Sequence, residues 1–188
     1  MIPFAASAEW YVAYFRSLSQ GMEKREAEAR AREATGDDRR ALARTRIVDG
    51  EGRELMLTVP VAGGAPRLKK THSPESLILS DHGNWRHIHL GALEAAYGRA
   101  PFFIHLMPLL REAYNDETDS LAGFNATIDG AIKTFLFHGG DVPGRFPELS
   151  AQARERAQEV LKEVKGEVSI IDALMRLGPQ ILLIFCLP

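Results

Sequence analysis

Two β-prone runs, Thr45-Arg46-Ile47-Val48 and Glu54-Leu55-Met56-Leu57-Thr58-Val59-Pro60-Val61, flank the turn cluster Asp49-Gly50-Glu51-Gly52. Glycine takes the positive φ that a tight turn requires, so this pattern predicts a β-hairpin. Ala62-Gly63-Gly64-Ala65-Pro66 ends the second strand, and Leu77-Ile78-Leu79 reads as a third short strand. Most of the remaining apolar residues recur at helical spacing. Strands and helices therefore do not alternate, and the sequence predicts an α+β fold, mostly helical with a small sheet, rather than a doubly wound one.

Trp10, Tyr14, Leu18 and Met22 recur at four-residue steps and give residues 8–22 one apolar helix face. From Glu23 to Arg40 alanine is the only apolar type, so the segment at about 23–40 reads as a charged, protruding helix with no face to bury, stopped at Gly36-Asp37-Asp38. Asn84 and Gly98 frame a helix from Trp85 to Tyr97 as cap and stop. Ile104 to Tyr114 continues as an apolar stretch. Leu121, Phe124, Ile128, Ile132 and Phe135 mark another helix, and Ala151 to Lys165 a charged one. Gly139 to Gly144 reads as a loop, and Val168-Ser169-Ile170-Ile171 as β-prone. With 188 residues, 45% hydrophobic, the chain suits one domain, 1–188, with a full core.

Chemistry concentrates in Asp81-His82-Gly83-Asn84-Trp85-Arg86-His87-Ile88-His89. On a helix that starts near Trp85, His89, Ala92 and Ala96 share the Trp85 face. His89 suits a general acid or base, because imidazole titrates near neutral pH; it suits equally a satisfied structural histidine. Arg86 offers a fork for phosphate or carboxylate. A zinc site from His82, His87 and His89 is disfavoured, because His87 and His89 fall on different faces. A second basic set is Arg39-Arg40 with Arg44 and Arg46, and alternation places Arg44 and Arg46 on one face of a strand, either as a phosphate site or as a solvated face. Tyr97 is a further candidate at a helix stop. His72, His105 and His138 read as structural.

The net charge of −2, from 23 basic and 25 acidic residues, gives no general field for nucleic acid. One cysteine, Cys186, forms no internal disulfide and sits among apolar neighbours as an inert thiol, which favours a reducing cytoplasm. The start carries no signal-peptide pattern, and Ile181–Leu187 is too short to span a bilayer. No Gly-rich phosphate loop, G-x-S-x-G elbow or H-E-x-x-H motif is present, so no cofactor or metal is expected.

Taken in order, Ile2-Pro3-Phe4 with Trp10-Tyr11, Arg44-Thr45-Arg46-Ile47, Leu57-Thr58-Val59-Pro60-Val61, Trp85-Arg86-x-x-His89, Tyr97-Gly98-Arg99-Ala100-Pro101-Phe102-Phe103, Phe124-Asn125, and Ser169 to Leu174 with Leu177-Gly178-Pro179 resemble the WbqC-like family of bacteria and archaea. The chain departs from that family's pattern at Ala43, where the family has Asn, at Leu90, where it commonly has a second Trp, and throughout residues 23–40. The resemblance implies a cytoplasmic protein of O-antigen or other surface-polysaccharide biosynthesis (lipopolysaccharide included), suggested to transfer glycine or a similar acyl group to an amino sugar.

Under that reading the substrate is a nucleotide-linked or lipid-linked sugar. His89 would accept the amine proton, Arg86, Arg44 and Arg46 would hold phosphate or carboxylate, and Trp85 and Tyr97 would line the sugar. The alternative is a non-catalytic interaction or scaffold protein of the polysaccharide machinery, docking through residues 23–40. A third option is a metal-dependent hydrolase built on the histidines.

Overall fold

The computed structural model describes residues 1–36, 39–68, 73–80, 82–139, 141–164 and 169–187. The Asp37-Asp38 helix break, His72, Asp81, Gly140 of the predicted loop, Lys165 at the predicted end of the charged helix, and Val168 lie outside these. The fold is α+β: a two-stranded antiparallel sheet set among helices.

Helix α1 (Ala8–Ser19) begins at Ser7, whose hydroxyl accepts from the Trp10 amide, and it buries Trp10, Tyr11, Tyr14 and Phe15. The charged segment forms a separate helix, α2 (Lys24–Thr35), packed against α1. The expectation of a helix without a buried face is corrected here. Ala27 and Ala31, four residues apart, are fully buried, because a methyl-wide stripe lets two helices approach closely. Glu28 beside them is also buried and pairs with the Met1 amino group at 2.6 Å.

Strands β1 (Arg44–Val48) and β2 (Glu54–Thr58) form the hairpin, with Arg44 opposite Thr58 and Val48 opposite Glu54. Thr45 and Ile47 face the core, and Arg44 and Arg46 the other side. The third strand reduces to isolated bridges: Val61 pairs with Leu79 and Ile78 with Ser120. Pro60 follows the end of β2, as expected of a residue with no N–H to give a ladder.

Helices α3 (Trp85–Tyr97), α4 (Phe103–Asn115) and α5 (Leu121–Phe137) follow. Helix α3 has its predicted bounds, but Asn84 adopts a left-handed conformation (φ 47°) and its side chain caps nothing. Of the β-prone stretch, Ser169 makes an isolated bridge to Ser7, but Ile170 and Ile171 start α7 (Ile170–Leu177), since the Ser169 hydroxyl accepts from the amides of Ile171 and Asp172 and nucleates a helix. Before it stands α6 (Ala151–Glu163), and after it the short α8 (Leu182–Phe185). At Gly178 (φ 55°) a Cβ would run into the Phe102 ring, so the Leu177-Gly178-Pro179 and Tyr97–Phe103 motifs meet in space. No helix among the described residues is long and apolar enough to cross a membrane.

Candidate functional site

The N-terminal strand of chain, residues 2–6, threads beside residues 41–45. The Phe4 amide donates to the Ala41 carbonyl (3.0 Å), and the Thr45 hydroxyl to the Ala5 carbonyl (2.8 Å). Asn125 of α5 fastens both sides: its amide nitrogen donates to the carbonyls of Ile2 (2.9 Å) and Leu42 (2.8 Å). From the C-terminal third, the Ile170 amide donates to Ala6 and the Ser169 amide to Arg46.

This framework encloses a pocket of about 610 Å³. Five arginines line it: Arg32 from α2, Arg39 and Arg40 from the turn after it, and Arg44 and Arg46 from β1. The exposed Met56 adds apolar surface, and the buried Phe4 and Trp10 back the pocket wall. The Arg46 guanidinium lies 3.4 Å from Glu54. The Nε of Arg44 is buried with no hydrogen-bond acceptor among the described residues, an unmet donor that costs about 1–3 kcal/mol. Several guanidiniums around one partly apolar cleft make a receptor for phosphate or carboxylate, which the planar fork matches in two parallel bonds.

Of the residues singled out in the sequence, Arg44 and Arg46 line this pocket; Trp85, Arg86, His89 and Tyr97 do not. His89 is 4% exposed, with its Nδ1 3.1 Å from the Tyr114 hydroxyl. Its ring stacks on Phe4 (centroids 5.9 Å apart, planes at 15°) and meets the Trp85 ring edgewise. Burial pushes its pKa down to about 4, with the Thr58 backbone pulling the other way, so the ring is neutral. Tyr114 is held protonated by burial. Trp85 Nε1 donates to the Ser80 carbonyl at 3.1 Å. Arg86 donates to the carbonyls of Tyr114 (2.6 Å) and Thr118 (3.4 Å), and stacks on Trp85 and Phe124. It therefore caps the end of α4, where a cation meets unpaired carbonyls. The Tyr97 hydroxyl donates to Asp172 (2.8 Å) and accepts from the Val48 amide (3.3 Å), tying α3, α7 and β1 together.

Around the other histidines the surroundings are plain. His82 and His87 are exposed while His89 is buried, and the described residues hold no group of three His, Cys, Asp or Glu placed to bind a metal. His105 is exposed, and His138 ends α5 in a left-handed conformation. Cys186 is half-buried, its thiol donating to the Leu182 carbonyl and its pKa raised by burial.

Arg32 and Asn125 were not read as site residues from the sequence. Arg32 sits in a run of charges where nothing local separates it from its neighbours. Asn125 left one trace: an amide midway along an otherwise apolar helix period, between Phe124 and Ile128.

No curated protein and no solved structure matches the chain. The model of the WbqC-like protein family matches residues 37–137, from the turn after α2 through the hairpin to the end of α5. That span includes Arg39, Arg40, Arg44, Arg46 and Asn125 of the pocket and its frame. It is more than half of the 188 residues, and the chain belongs to the WbqC-like protein family.

Proposed function

We propose that the arginine-lined pocket binds the phosphate or carboxylate of a nucleotide-linked or lipid-linked sugar, and that the protein acts in surface-polysaccharide biosynthesis as an acyl transferase toward an amino sugar. One observation carries the reading: arginines from three successive elements converge on a single cleft. Family membership supports the polysaccharide context. Arg44 and Arg46 hold the anion, and the exposed Met56 side chain offers an apolar wall to the sugar or base. Catalysis of this kind rests on positioning, since binding two reactants side by side removes much of the entropic barrier.

His89 and Arg86 then serve as positioning residues. A buried neutral imidazole outside the pocket lining is poorly placed to take a proton from a bound amine. Its stacking fixes Phe4, which does line the pocket.

Calorimetric titration with a uridine-diphosphate sugar tests the anion site. Removing one charge-assisted contact costs about 1.5–3 kcal/mol, so Arg44→Ala should weaken binding roughly ten- to a hundredfold while the melting temperature holds. His89→Gln should keep most of the affinity. Wild-type protein that binds neither this sugar nor inorganic pyrophosphate would overturn the reading and favour the scaffold alternative.

A further inference from the structure

Glu9 is the one carboxylate among the described residues that line the pocket. It lies in the first turn of α1, exposed to solvent. Within 4 Å it has no ion pair to any described arginine, though five of them share the cleft with it. A carboxylate in such a place works against a purely anionic ligand. It would raise the cost of seating a phosphate by like-charge repulsion, unless the ligand also carries a positive group to meet it. The helix dipole accounts for an acidic residue in the first turn of α1, but not for its place in the lining of a basic pocket.

We infer that Glu9 reads an ammonium group on the ligand, so that the pocket selects a zwitterion: an anion held by the arginines and a protonated amine held by Glu9. This rests on the pocket being an anion site, as proposed above, and adds the residue by which it tells an amino sugar from its hydroxyl counterpart. Selectivity comes from both signs at once. The carboxylate attracts the ammonium, whereas with a neutral hydroxyl in its place the repulsion between Glu9 and the ligand's phosphates goes uncompensated.

Uridine-diphosphate glucosamine and uridine-diphosphate glucose form a matched pair that differs by ammonium against hydroxyl. Titrated below the amine's pKa, wild-type protein should bind the glucosamine compound several-fold more tightly. Glu9→Gln is surface-exposed and keeps the side chain's size, so it should fold. It should weaken the glucosamine compound several-fold and tighten the glucose compound, two changes of opposite sign. A role limited to the helix dipole would move both affinities together. Equal wild-type affinity for the two sugars, or a shift of the same sign for both in Glu9→Gln, would overturn the role of Glu9 while leaving the anion site standing. Binding of inorganic pyrophosphate but of neither sugar would likewise overturn only the role of Glu9, and binding of none of the three would remove both.

Discussion

A single side chain, His89, links the core to the pocket and gives the protein a pH dependence of calculable sign. Its folded pKa of about 4 lies below the ordinary 6.5. Between those values the unfolded chain binds the proton more readily, so stability from the neutral ring is complete above about pH 6.5 and is lost as pH falls toward 4. The full effect is at most about 3 kcal/mol. Asp129 acts in the opposite sense. Burial raises its pKa, with Lys133 at 2.7 Å pulling it down, so its stability term falls as pH rises through its folded value. Comparing wild type with His89→Gln cancels Asp129: the gap in melting temperature should narrow between about pH 7.5 and pH 4.5. A gap independent of pH would mean that His89 is not held neutral. Asn125→Ala should cost about 1–3 kcal/mol in urea denaturation, because two buried carbonyls, of Ile2 and Leu42, lose their donor. A greater loss of ligand affinity than in a surface control is expected too, since those carbonyls frame the pocket.

Among the elements, the hairpin and α3 were legible because their signals are local. Asp49 and Gly52 set the turn, the Asp49 carboxylate accepting from the amides of Glu51 and Arg53 and Gly52 taking φ 82°, and Trp85–Tyr97 carries both a helical period and a stop. Helix α2 was legible as a helix but not as a packed one. Its buried stripe is made of Ala27 and Ala31, which in hydropathy terms hardly stand out from a charged run. The start of α7 was missed for a related reason: Ile170-Ile171 is β-branched, and the Ser169 cap outweighs that preference. Packing through alanine makes a clear prediction. Ala31→Arg should lower the melting temperature by several degrees, whereas Ala34→Arg, on the exposed side of the same helix, should leave it within about a degree. Equal effects would show that α2 does not rest on α1 through that stripe.

Across the whole molecule, motifs distant in sequence turn out to be neighbours. Phe102 abuts Gly178, and Tyr97 bonds Asp172. Gly178→Ala combines a strained φ with a clash against the half-buried Phe102 ring and should destabilise by about 1–3 kcal/mol in denaturant titration. The site was half legible for the same reason. Arg44 and Arg46 announced a basic strand face by alternation. That Arg32 joins them, and that Trp85, Arg86, His89 and Tyr97 stand behind the cavity rather than in it, depends on contacts no local pattern encodes.

The amide bonds from Ser169 to Arg46 and from Ile170 to Ala6 also set an order of events during synthesis. All five arginines leave the ribosome long before Ser169 does. Closing such a distant contact is slow, because a long loop must be ordered before the contact rewards it. A nascent chain halted before residue 169 would therefore display the complete set of positive charges with no finished cavity to hold them, and ligand selectivity would arrive only with the last segment of the chain.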